Sequence, residues 1–185
     1  MKKWIPLLFV AVILCGCTGK NEALPRAMAL RSELLAKNVS FDAEITADYG
    51  NVCYQFSMQC QAQTDGTMTF SVLAPESIQG ITGSVSGSGG KLTFDDSALA
   101  FDLMADGLIT PVSAPWVMMK ALRGGYLSGC GFEEEKVRIS VDDSYAEDAL
   151  HLEVWLDGQD RPAVAEIYWQ GRRLLTLNVT NFSMQ

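Results

Sequence analysis

The strongest constraint on this chain is an alternation of period two that starts near residue 39. In VSFDAEITADYG, Phe41, Ala43, Ile45, Ala47 and Tyr49 alternate with Asp42, Glu44, Thr46 and Asp48. Successive side chains of a strand point to opposite faces, so this segment makes a strand with one dry and one wet face. Gly50-Asn51 turns the chain. Val52, Tyr54, Phe56, Met58 and Cys60 then form a second apolar row, opposite Cys53, Gln55, Ser57 and Gln59. Asp65-Gly66 is a hairpin signal, Met68, Phe70 and Val72 follow, and Pro75 ends that strand. A weaker hairpin runs through GITGSVSGSGGKLTF, with Ile81, Val85, Leu92 and Phe94 apolar, and a short strand lies near Leu99–Leu103. Four more strands close the chain, roughly Glu135–Val141, Ala149–Leu156, Ala163–Trp169 and Arg172–Phe182, with DGQDRP and QGR as turns.

Two segments switch to helical period. In ALPRAMALRSELLAK (23–37), Leu24, Ala27, Met28, Leu30, Leu34 and Leu35 form an apolar stripe, and Pro25 suits the first turn. SAPWVMMKALRGGYL gives a second helix, with Ser113 as N-cap, Pro115 in the first turn, Trp116, Met119, Ala121 and Leu122 apolar, and Gly124-Gly125 as terminator. About ten hairpin-linked strands make an antiparallel sheet, and its apolar face has to be covered. The two helices are the material for that. The expected class is α+β, mainly β.

The N-terminus fixes a compartment. Lys2 and Lys3 precede an uncharged run from Trp4 to Leu14. At eleven residues it falls short of the roughly 20 needed to span a bilayer, but it suits a secretory signal. The run ends Leu14-Cys15-Gly16-Cys17, which resembles the bacterial lipobox. The resemblance implies a signal peptide at 1–16, acyl chains on Cys17, a short linker at 17–22 and one domain at 23–185. Without residues 1–16, twelve basic residues face 22 acidic ones, a net charge of −10. Such a surface repels nucleic acid and anionic headgroups, so attachment falls to the acyl chains. The expected location is the extracytoplasmic face of a bacterial membrane.

Three cysteines then remain. Cys53 and Cys60 on one strand are about 7 × 3.3 Å, or roughly 23 Å, apart, far beyond the approximately 7 Å between Cα atoms that a disulfide tolerates. Cys130 can reach only one of them. Cys60 shares the apolar row and is the better candidate, so a Cys60–Cys130 bond is one expectation and three free thiols the other.

Little in the chain suggests chemistry. C-x-C supplies too few ligands for zinc, and the other cysteines and His151 have no ligand spacing. SGSGG fails as a phosphate loop: Val85 occupies the first glycine position and Leu92 follows Gly90-Lys91. DDSYAED lacks the EF-hand pattern and reads, like the Glu133–Glu135 run, as a solvated acidic turn. His151 shares the wet face of its strand with Glu153 and Trp155. No catalytic residue, metal site or cofactor is expected. Asn38-Val39-Ser40, Asn178-Val179-Thr180 and Asn181-Phe182-Ser183 match the glycosylation sequon, which carries little weight for a bacterial chain.

The order of elements resembles the LolA/LolB-like superfamily of periplasmic lipoprotein carriers and receptors. GTMTFSVLAPESIQGITGSVSGSGGKLTF carries most of the likeness: a strand ending in Pro, then a second strand and a glycine turn. The resemblance implies an open half-barrel with an N-terminal helix and a helical insertion capping the concave face. Phe41, Ile45, Tyr54, Phe56, Met58, Phe70, Val72, Trp116 and Met119 are the candidate lining of a cavity for an acyl chain or other hydrophobic ligand. The implied protein is a non-enzymatic lipoprotein. The alternative is an envelope lipoprotein, of sporulation or stress-sensing type, that binds a protein partner and no small molecule.

Overall fold

The computed structural model describes residues 22–95, 97–105 and 108–185. Cys17, the expected signal peptide and nearly all of the linker lie outside these residues. Helix α1 (Ala23–Ala36) leads into six strands: β1 (Val39–Asp48), β2 (Cys53–Ala62), β3 (Met68–Ala74), β4 (Thr82–Ser86), β5 (Gly89–Phe94) and β6 (Ser97–Phe101). A small hairpin follows, β7 (Met104–Ala105) and β8 (Leu108–Ile109), then helix α2 (Ala114–Gly124). Five strands complete the chain: β9 (Tyr126–Glu133), β10 (Lys136–Asp142), β11 (Leu150–Leu156), β12 (Pro162–Trp169) and β13 (Arg172–Met184).

Eleven strands form one antiparallel sheet in the order β6-β5-β4-β3-β2-β1-β13-β12-β11-β10-β9. It is an open half-barrel, mainly β, as expected. Two meanders run outward from a centre where the first strand meets the last, with Ile45 opposite Leu177. Register shifts interrupt five ladders, and such bulges bend a sheet. The segment from β6 to β9 must return from one edge to the other, and it carries α2 across the concave side. That helix packs on β2, β10, β12 and β13, while α1 packs on α2, β9 and β10.

The alternation sets the burial. In β1, Val39, Phe41, Ala43, Ile45 and Ala47 are all buried, and Val137, Ile139 and Val141 of β10 and Leu150, Leu152, Val154 and Leu156 of β11 continue the face. At roughly 1.5–3 kcal/mol per large apolar side chain, this one row supplies much of the driving force for folding. Two tight contacts explain glycines in β4 and β5. A Cβ on Gly83 would overlap the ring of Phe70, and one on Gly90 the ring of Phe101. Both rings lie against the bare backbone of the neighbouring strand.

Several expectations need correction. Strand β9 is additional to the expected strands: YLSGCGFE has three small residues and no clean alternation, yet it pairs with β10 from Lys136↔Glu133 to Asp142↔Tyr126. The β7–β8 hairpin is also additional. In α1, Ala27, Leu30 and Leu34 are buried, whereas Leu24, Met28 and Leu35 are exposed, because the helix rests on the sheet's end along a narrow face. Ser113 precedes α2 but makes no cap: its hydroxyl donates to the carbonyl of Thr110 at 2.7 Å. The Cys60–Cys130 bond is absent. Both are free thiols, on β2 and β9, which have five strands between them in the sheet.

Candidate binding face

The concave side is where α1, α2 and the sheet meet, and two arginines fasten it. Arg123 of α2 donates from Nε to the Leu34 carbonyl (2.9 Å) and from Nη2 to that of Lys37 (3.2 Å), with Nη1 on the carbonyl of Gln63. Arg31 of α1 donates to the carbonyls of Leu122 (2.8 Å) and Ala121 (3.4 Å). The last carbonyls of a helix lack internal partners and carry the negative end of its dipole. Each helix therefore caps the C-terminus of the other. Burial lowers the pKa of both guanidiniums; arginine stays charged regardless. Trp116 Nε1 donates to the Gly66 carbonyl (2.8 Å), tying α2 to the β2–β3 hairpin. Asp65 holds that turn by accepting from the hydroxyl and amide of Thr67, and these bonds keep its carboxyl below the usual range.

The nine expected cavity residues divide. Phe41, Ile45, Phe56, Met58, Phe70 and Val72 are buried in the core, much of which lies under the helices. Tyr54 stands at the start of β2, exposed, edge-on to Tyr49. It shares the face of Phe56, but it sits beyond the reach of the helices. Trp116 and Met119, themselves largely buried, form part of the wall of an open trough of about 470 Å³ whose lining also includes the apolar Leu35, Ala62 and Leu103, the polar Thr64, Asp65 and Thr67, and Arg123. Lys120 stands at its rim, 5.5 Å from the Trp116 ring centroid. That volume lies within the 300–1,000 Å³ of small-molecule sites. Of the lining residues, sequence reasoning named only Trp116 and Met119; Leu35, Leu103 and Arg123 are among those it missed. Leu35 had been placed on the inner stripe of α1, and its exposure is what makes it available here.

A second apolar trough, of about 560 Å³, lies farther out on the sheet, between Ile81, Leu92, Phe94 and Leu99. The ladders place these four on the same face as Phe70 and Val85: Phe70 pairs with Gly83, Gly83 with Leu92, and Leu92 with Leu99.

On the outer face, His151 sits between two carboxylates. Nδ1 is 2.7 Å from Asp142 and Nε2 is 3.0 Å from Glu153, which also accepts from Ser140 Oγ at 2.8 Å. Burial opposes the charged ring, but the two carboxylates outweigh it and raise the pKa. Arg138 reaches Glu153 and Glu133, and Glu133 accepts from Trp155 Nε1. This is a charge network on a sheet surface, in which both ring nitrogens of His151 are taken up by carboxylates. Among the described residues, no His, Cys, Asp and Glu side chains gather as a possible metal site, and no helix is long and apolar enough to cross a membrane.

No protein-family model matches the chain, and no curated protein does. Solved structures of similar chain path exist at low identity. A LolA superfamily protein from Nitrosomonas europaea is 11% identical over 86% of this chain and 93% of its own, with a TM-score of 0.44. A putative outer membrane lipoprotein-sorting protein domain from Vibrio parahaemolyticus is 11% identical over 89% and 92%, with a TM-score of 0.48. The lipoprotein LppX from Mycobacterium tuberculosis is 15% identical over 97% and 96%, with a TM-score of 0.39. At such values, what this protein does has to be read from its own residues.

Proposed function

We propose that this protein is a membrane-anchored, extracytoplasmic lipoprotein that takes up a lipid acyl chain or similar hydrophobic ligand and catalyses no reaction. The observation that carries this reading is the trough beside Trp116 and Met119. It is mainly apolar and open to solvent, and it lies at the seam of two helices fastened by side chains rather than by chain connectivity. Each methylene moved from water into such a trough contributes about 0.8 kcal/mol. The anchor rests on Leu14-Cys15-Gly16-Cys17, with only five residues between Cys17 and Ala23 to hold the domain close to the bilayer.

Native mass spectrometry of the purified protein tests the reading. A co-purifying lipid, or stoichiometric uptake of added fatty acid, is the expected result. A ligand-free mass that persists with excess fatty acid sinks it.

A further inference from the structure

The two edges of the sheet are treated differently. Helix α1 packs on β9. Among the described residues, strand β6 has one neighbour in the sheet, β5, and its residues Ser97 to Ala100 are all exposed. An edge strand presents unpaired N–H and C=O groups, and proteins usually blunt it with lysine, proline, a bulge or a covering element. Here SALAF contains no charge and no proline, and the β5–β6 ladder runs without a register shift. Leu99 is 66% exposed and Phe94 54%. Both belong to the 560 Å³ trough, which opens directly beside this edge.

We infer that β6 is a docking edge for an extended protein segment, which adds to the sheet as a twelfth strand. Main-chain hydrogen bonds to β6 supply the pairing, and alternate apolar side chains of the segment enter the trough over Leu92, Phe94 and Leu99. The partner's chemistry follows from charge. Asp95 and Asp96 precede β6 and Asp102 follows it; Asp95 and Asp102 are exposed. A segment that is apolar at its centre and basic at both ends matches this pattern. A second copy does not. In an antiparallel pair of two β6 edges, the Asp102 end of one copy would lie against the Asp95 end of the other, and like charges facing each other destabilise a pair. This site is separate from the trough beside Trp116 and stands or falls independently of the acyl-chain reading.

The test uses the full-length protein in phosphatidylcholine nanodiscs, with empty nanodiscs as the blank. The probe is a fluorescein-labelled peptide, KKVTLTFKK, followed by fluorescence anisotropy. Three comparisons decide the outcome. The same peptide N-methylated at alternate backbone positions cannot complete a strand ladder and should bind at least 10-fold more weakly. Leu99→Lys, a change at an exposed site that leaves the fold intact, should also cost at least 10-fold. Asp95→Asn with Asp102→Asn should cost about threefold and flatten the salt dependence. Equal binding of the N-methylated peptide, equal binding to Leu99→Lys, or equal binding of the acidic analogue EEVTLTFEE overturns the proposal. So does sedimentation of the wild type as a dimer that Leu99→Lys converts to monomer, because the edge would then serve self-association. Uptake of a fluorescent fatty acid, measured in parallel on Leu99→Lys, should be unchanged; its loss would make the trough a lipid site and overturn the assignment as well.

Discussion

Replacing Arg123 by alanine removes the group that closes α2 onto α1 and onto the β2–β3 turn. Three backbone carbonyls, of Leu34, Lys37 and Gln63, lose their donor together. A hydrogen bond to a charged group contributes about 1.5–3 kcal/mol, so three would reach about 4.5 kcal/mol at the lower bound. The side chain is only partly buried, and water replaces some of the lost bonds. We therefore expect a net loss of about 3 kcal/mol. With a urea m-value of about 1–3 kcal/mol/M, the midpoint falls by at least about 1 M. A domain of this size should melt about 6–12 °C lower. Tryptophan fluorescence reads the transition, since Trp116 lies in α2. Arg123→Lys should fall in between, because an ammonium is a point donor and cannot span three carbonyls. Arg31→Ala should cost less, with two bonds, one of them at 3.4 Å. The double variant should cost less than the sum, as both side chains close one interface. A loss below about 0.5 kcal/mol for Arg123→Ala, the range of an ordinary surface substitution, would refute the mutual capping of the two helices.

Other perturbations probe separate parts of the fold. Gly90→Val would drive its side chain into the Phe101 ring and should cost about 1–3 kcal/mol in a thermal melt; an unchanged melt would mean that the ring does not rest on Gly90. Asp142 and Glu153 favour the charged ring of His151 and raise its folded pKa above the unfolded value. Its contribution is thus fully present below about pH 6.5 and is lost as pH rises through the folded pKa. The urea midpoints of wild type and His151→Gln should differ more at pH 6 than at pH 9, and the opposite trend would contradict the ion pairing. For the thiols, Cys53 should react quickly with a thiol reagent in the native protein, Cys130 slowly, and buried Cys60 only after unfolding, its pKa raised by burial; rapid labelling of Cys60 would be inconsistent with its place in the core. Cys17→Ser should abolish labelling with radioactive palmitate, and normal labelling of that variant would exclude Cys17 as the anchor.

The half-barrel was legible because its strands obey a strict rule. Wherever one face is dry and the other wet, as in Phe41 to Tyr49 or Leu150 to Leu156, period two reveals both the strand and its orientation. Strand β9 escaped for the opposite reason: at the sheet's end, with Gly129 and Gly131 in its middle, it has no dry row to show. The site was less legible. Met58 and Tyr54 occupy the same row of β2, yet one is buried and the other exposed, because burial depends on where the helices end and no strand periodicity encodes that. Leu35 has the spacing of a core residue but lies at the rim of a trough. Arg123 gave no local signal, since its partners are main-chain carbonyls 60 to 89 residues away.

The trough beside Trp116 is the central functional claim, and titration of a fluorescent fatty acid against wild type and Leu35→Glu tests it most directly. Leu35 lines the trough and is 58% exposed, so a carboxylate there should leave the fold intact while placing a charge in the path of the chain. Saturable one-to-one binding by the wild type and at least a 10-fold weaker affinity for Leu35→Glu are expected. Equal affinity of the two proteins, or no saturable binding by the wild type, would contradict it.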